Sequence, residues 1–156
     1  MAEAYINYPL LWQHVIAHFP CGPHSIHGPE HWRRVERNGL LIAEQSGADE
    51  TVVRLFALFH DSQRVNDGWD DGHGTRGAKF AFQCRGEFFE ISDDMFEKLY
   101  FACAWHTDEL YDDDPTIGTC WDADRLDLPR AGIKTDPDYL NTAFGKELAK
   151  SGNLSF

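Results

Sequence analysis

The sequence predicts an all-α fold, a single-domain bundle of about six to seven helices. Three observations predict it. Apolar residues recur at helical spacing along most of the chain, few stretches alternate as strands do, and cap residues, Gly and Pro break the stripes at helix-length intervals. The 156 residues fit one domain, 1–156, with enough chain to bury a real core, and no internal repeat or low-complexity segment divides it.

The elements follow in order. A first helix is expected over residues 9–19, and the Gly/Pro-punctuated loop "PCGPHSIHGPE" follows it. Pro29 suits the first turn of a second helix, which runs through "EHWRRVERNGLLIAEQ" and stops at Gly47. Asp49 is the expected N-cap of a third helix, "ETVVRLFALFHD", whose apolar residues leave almost no polar face. Such a helix belongs at the centre of a bundle. The polar segment "SQRVNDGWDDGHGTRG", with four glycines, reads as a long loop, either functional or disordered. A fourth helix is expected over 75–89. Ser92 caps a fifth, with Asp93 and Asp94 in the first turn, where the helix dipole favours acids. A sixth covers 117–128, and a last one runs over 137–150 and frays into "SGNLSF".

Composition narrows the classes. Hydrophobic residues make up 42% and charged residues 26%, as in an ordinary globular protein. No run approaches the ~18 apolar residues of a membrane span, and "MAEAYINYPLLWQHVIAHF" lacks the basic start and apolar stretch of a signal peptide. The formal net charge of −12 argues against a broad nucleic-acid surface, while a local metal or Arg cluster still permits a small anionic substrate. Cys21, Cys84, Cys103 and Cys120 form no CxxC pair and read as reduced thiols of a cytoplasmic protein.

The titratable groups fall on the apolar stripes. His60 lies four residues after Phe56 and seven after Val53, and His106 lies three after Cys103 and seven after Leu99. Asp124 lies three after Trp121 and seven after Ile117, and Val35 and Ile42 follow His31 at helical spacing. Four helices each turn one His or Asp inward. Singly, such a histidine is a hydrogen-bonded core residue and such an Asp is a cap or ion-pair partner. Together they are costly to bury unless they compensate one another. A divalent metal compensates them all, and imidazole and carboxylate suit zinc, iron, manganese or nickel. The bundle is therefore expected to hold a central metal site.

On "HGPEHWRRV", "ALFHDSQR" and "CWDADRLDL" the chain resembles the HD-domain superfamily of metal-dependent phosphohydrolases, over a motif-bearing core of residues 24–135. The resemblance implies a metal held by His31, His60, Asp61 and Asp124. Many members carry two further histidines between the HD pair and the last Asp, which build a second metal position. His73 and His106 fall in that interval, and Asp61 would then bridge. The implied cofactors are one or two divalent ions per chain, drawn from Fe, Mn, Zn, Ni, Co and Mg. The implied activity is hydrolysis of a nucleotide or other small phosphate ester by a metal-activated water, with Asp61, His60 and Arg64 as the catalytic group. Two metals ~3.5–4 Å apart can clamp both the attacking and the leaving oxygen.

Arg64 sits one turn beyond His60, Arg125 follows Asp124, and Arg76 lies near His73, so these three are the expected phosphate contacts. Most bases of an acidic chain are surface partners, and Asp67, Asp70 and Asp71 read as acceptors behind the metal ligands, as a proton acceptor for the leaving group, or as a solvated loop face, the last being the ordinary reading. Cys21, His24 and His27 lack the fourth ligand of a structural zinc site, although His27 could line the mouth of the cleft. Trp32, Trp69, Trp105 and Trp121 flank the site elements as packing residues or as platforms for a nucleobase. The glycines match no phosphate-binding fingerprint. Two alternatives stay open: a di-iron oxygenase of the same fold acting on a small polar substrate, and a non-catalytic metal- or ligand-binding sensor. The aromatic-rich first helix could pack on the core or on a second copy, which leaves a homodimer open.

Overall fold

The computed structural model describes residues 5–152, and the expected fraying at the C-terminus lies partly outside them. Seven α-helices carry the described chain: α1 (Tyr8–Ala17), α2 (Pro29–Ser46), α3 (Glu50–Phe59), α4 (His73–Cys84), α5 (Asp93–Trp105), α6 (Pro115–Arg125) and α7 (Ala143–Ser151). Two strands, β1 (Tyr5–Ile6) and β2 (Phe89–Glu90), pair antiparallel, with Tyr5 opposite Glu90 and Ile6 opposite Phe89. The class is all-α, as expected.

Caps set the helix starts. Pro29 opens α2, and Gly47, at φ 76°, closes it in the left-handed conformation. Asp49 accepts from the Thr51 and Val52 amides, Ser92 from Met95, and Asp114 from Thr116 and Ile117. From Val52 to Phe59 every residue of α3 except Arg54 is buried. This helix lies at the centre, packed against α2, α4, α5 and α6, while α2 also packs on α6 and α4 on α5. Burying each large side chain of α3 contributes about 1.5–3 kcal/mol, so the central helix is firmly held, and the polar residues at its C-terminal end are held with it.

Several boundaries differ from expectation. Helix α4 begins at His73 rather than at residue 75, because Gly72 takes φ 76° and turns the chain straight into the helix. It ends at Cys84 rather than near residue 89. A turn through Gly86, at φ 91°, leads from there into β2. Helix α6 starts and stops earlier than 117–128, with Asp114 as its cap and a 3-10 turn, Leu128–Ala131, beyond it. The expected last helix is split into a 3-10 turn, Pro137–Tyr139, and α7. The cause is Asp122, fully buried on α6. Its carboxylate accepts from the Asn141 amide (2.7 Å), the Thr142 amide (2.8 Å) and the Thr142 hydroxyl (2.7 Å), fixing a turn where a continuous helix would run.

Two glycines of the polar "GHGTRG" segment are helix-contact residues. A Cβ on Gly74 would collide with the Cys103 carbonyl at the end of α5, and one on Gly77 with the Phe59 carbonyl at the end of α3. Their missing side chains bring α4 onto the ends of both helices.

Candidate metal centre

Five helix ends converge at one point. His31 sits in the first turn of α2, His60 and Asp61 follow directly on α3, His73 opens α4, His106 follows α5, and Asp124 lies in the last turn of α6. After Phe59 the chain turns sharply, its carbonyl accepting from the Ser62 amide and hydroxyl, so adjacent His60 and Asp61 reach the same cluster. His60 Nε2 lies 3.5 Å from Asp61 Oδ2.

The atoms form two groups that share Asp61. In the first, His31 Nε2 lies 3.1 Å from His60 Nε2, 3.2 Å from Asp61 Oδ2 and 3.2 Å from Asp124 Oδ1. His60 Nε2 lies 3.3 Å from the same Asp124 oxygen. In the second, Asp61 Oδ1 lies 3.2 Å from His73 Nε2 and 3.4 Å from His106 Nε2, and those two nitrogens are 3.1 Å apart. Within each group all the donor atoms lie within 4.8 Å of one another. The His and Asp61 side chains are almost wholly buried, whereas the Asp124 side chain keeps 16% of its exposure and is the least buried of the six.

The ring tautomers follow from the opposite nitrogens. His60 Nδ1 donates to the Phe56 and Ala57 carbonyls (both 3.0 Å), His73 Nδ1 to the Asp70 carbonyl (2.7 Å), and His106 Nδ1 to the Cys103 carbonyl (2.7 Å). His31 Nδ1 donates to Asp127 Oδ2 (2.7 Å). A carbonyl only accepts, so each Nδ1 bears the proton and each neutral ring presents a lone pair at Nε2. Two such lone pairs 3.1 Å apart repel unless a cation lies between them. Donors held about 2.0–2.2 Å from one ion would sit at such separations. The donor set therefore fits a divalent metal in each group, with Asp61 offering one oxygen to each.

Without metal a proton takes the cation's place. Burial pushes His31 down, but hydrogen bonds to Asp124, Asp127 and Asp61 outweigh it and hold the imidazole up at about 10. Burial pushes Asp61 up, yet the charge of His60 and hydrogen bonds from His106, His31 and His73 keep it well below the usual carboxylate range. Asp124 is held down in the same way, against burial, by His60 and His31.

The expected phosphate contacts are placed differently from one another. Arg64 is buried, with Nε 3.4 Å from Asp61 Oδ1 and Nη1 on the Asn66 and Gly68 carbonyls (3.2 and 3.1 Å). Arg76 gives Nη2 to Asp70 (2.5 Å), Nη1 to the Asp71 carbonyl and Nε to the Gln63 carbonyl. The terminal nitrogens of Arg125 meet the carbonyls of Glu109, Leu110 and Tyr139.

Several supporting residues were not singled out from the sequence. Asp127 is buried and joins His31 to Arg34, whose Nε it accepts at 2.8 Å. Its position three residues after Asp124, on the same helical side, is the signal that could have marked it. Of the three loop carboxylates, two act as hydrogen-bond acceptors rather than as a solvated face. Asp70 is buried and ties the Val65 amide to Arg76, and Asp67 accepts from His27 Nδ1 (2.9 Å) and from Ser25 Oγ (2.5 Å). Asp71 is exposed. Cys21 and His24 do not gather with His27, and the two groups sharing Asp61 are the only metal-suited clusters among the described residues. Trp32 and Trp121 are core residues, whereas Trp69 is 87% and Trp105 43% exposed.

The fold matches a crystal structure of a predicted HD superfamily hydrolase from an uncultured Thermotogales bacterium. The TM-score is 0.73 at 22% identity, and the match covers 94% of this chain and 84% of that one. At this identity the likeness establishes the fold alone: the chain shares the all-α architecture of that protein, and its described residues hold a buried His/Asp cluster suited to metal. No family model matches the chain, and no curated protein does. No helix of the described structure is long and apolar enough to cross a membrane.

Proposed function

We propose that this chain is a metal-dependent phosphohydrolase acting on a nucleotide or another small phosphate ester. The observation that carries the reading is the convergence of four Nε2 lone pairs on two groups bridged by the two oxygens of Asp61. His31, His60, Asp61 and Asp124 would hold one divalent ion, and Asp61, His73 and His106 a second. Bound there, such ions supply a water acidic enough to ionise near neutral pH and Lewis acidity at a phosphoryl oxygen.

The residues around them do the positioning. Asp127 and four main-chain carbonyls lock the imidazoles in the coordinating tautomer. Arg64 steadies Asp61 through Nε, and its Nη2 has no hydrogen-bond partner among the described residues. That nitrogen is the group we assign to a substrate oxygen. Arg76 and Arg125 hold the flanking loops, and substrate contact by either would cost existing hydrogen bonds. The substrate enters beside Asp124, the least buried ligand.

The test begins with elemental analysis of tag-free protein beside His60→Ala and Asp61→Ala. Near two ions per chain, lost in both variants, followed by turnover in a phosphate-ester screen, is the expected result. One ion would demote His73 and His106, and none after reconstitution would sink the reading. The same bridged donor set also suits a di-iron oxygenase, which iron content with substrate-dependent oxygen consumption would reveal. Metal binding without turnover of any ester would leave a sensor module.

A further inference from the structure

We propose that the chain carries a second small-molecule site, a cleft behind His31 that binds a phosphate-bearing compound with an apolar body. The cleft has a volume of about 470 Å³, within the usual range for small-molecule pockets. Arg34, Asp127, Arg130 and Lys134 line its polar side, and Leu126 and Leu148 are part of its apolar side. None of the six proposed metal ligands lines it. Asp127 forms the partition: one carboxylate oxygen faces His31 and the other takes Arg34.

The charge balance is the reverse of the chain's own. The sequence has 26 acidic residues against 14 Lys and Arg, yet here three bases surround one acid. That acid is already engaged, by His31 at 2.7 Å and by Arg34 at 2.8 Å. The bases are less so. Only Nε of Arg34 has a hydrogen-bond partner among the described residues, which leaves both terminal nitrogens available. Arg130 gives Nε to the Ile26 carbonyl and Nη1 to the Asp127 carbonyl, leaving Nη2. Lys134 is exposed and has no partner among the described residues, although its neighbour Thr135 is buried and anchored to the Arg125 carbonyl at 2.8 Å. Two guanidinium groups and an ammonium thus face one cleft, and Asp127, 4.0 Å from Arg130 Nη1, is the one acid among the residues that line it. Guanidinium forks match phosphate oxygens two at a time, and an ammonium adds a point charge. An inorganic phosphate would occupy the polar end alone. The apolar side calls for a ligand with a hydrocarbon or aromatic body.

The site does not depend on the metal reading, and the experiment keeps the two apart. Phenylphosphonate is titrated into the full chain in the presence of excess chelator, which removes ions that would otherwise draw it to the Asp61 centre. Binding is followed by calorimetry and by amide and arginine Nε–H shifts in two-dimensional NMR spectra. Saturable one-to-one binding is expected, tighter than that of inorganic phosphate. Shifts are expected at Ile133, Lys134, Thr135 and the Arg34 Nε–H. Lys134→Ala should weaken binding several-fold and Lys134→Glu more than tenfold. The exposure of Lys134 makes both variants safe for folding. The proposal is overturned if binding does not saturate, if Lys134→Glu binds as the parent does, or if the shifts cluster around His60 and His73 instead.

Discussion

Asp127 does for His31 what main-chain carbonyls do for the other three histidines, but it brings a charge. A carboxylate behind a ligating imidazole fixes its tautomer and raises its basicity. Asp127→Ala should therefore weaken the first ion by about 10–100-fold, with Asp127→Asn in between because its amide oxygen still accepts from Nδ1. Competition with a chromophoric chelator measures both. His31 also makes the metal-free protein sensitive to pH. Its folded value of about 10 lies above the ordinary 6.5, so its stabilisation is complete below 6.5 and is lost as pH rises toward 10. Asp61 and Asp124 have the opposite sign: their contribution is present above 3.8 and is lost as pH falls through their depressed values. Urea midpoints of chelated protein should thus fall between pH 6.5 and 10. Loaded protein should resist that fall, because an ion replaces the His31 proton. Equal slopes with and without metal would contradict this.

Among the elements, α4 decides whether there is a second position for an ion. Gly74 and Gly77 let it lie against the ends of α5 and α3, which brings His73 within 3.1 Å of His106. Gly74→Ala drives a methyl into the Cys103 carbonyl and toward His106 Nδ1. The expected stability loss is about 1–3 kcal/mol, and the His73–His106 pair should part. Metal analysis should show the second ion lost and the first retained, and urea unfolding the destabilisation. Two ions per chain in this variant would refute the assignment of α4. Helix α3 behaves differently. Its all-round apolar character and its Asp49 cap were legible in the sequence because both are local chemistry. The start of α4 was not. "GHGTRG" has the composition of a loop, and only the backbones it meets explain why its glycines sit in a helix.

In the whole molecule, the cluster ties α2, α3, α4, α5 and α6 together through buried charged and polar groups. An ion that binds the folded chain and not the unfolded one adds about 2.7 kcal/mol at a hundred times its dissociation constant. Chelation should therefore lower the thermal midpoint by several degrees, and readdition of metal should restore it. His60→Ala should show no such metal-dependent shift. Calorimetry of the parent and the variant, each with and without chelator, gives the comparison, and a parent indifferent to chelation would argue against ions at the centre.

The sequence by itself determined the all-α class, the central place of α3, the caps Gly47, Asp49 and Ser92, and the inward aim of His31, His60, His106 and Asp124. Periodicity and capping act over a few residues, so a single chain displays them. Tertiary structure alone decided the rest. It placed His73 at the head of a helix, joined Asp127 to His31 and Arg34 across more than ninety residues, and broke the last helix at the buried carboxylate of Asp122. It also gathered Arg34, Arg130 and Lys134 at one cleft. Each of these depends on which faces meet after the chain has folded back on itself, and a pattern of neighbours along the sequence carries no record of that.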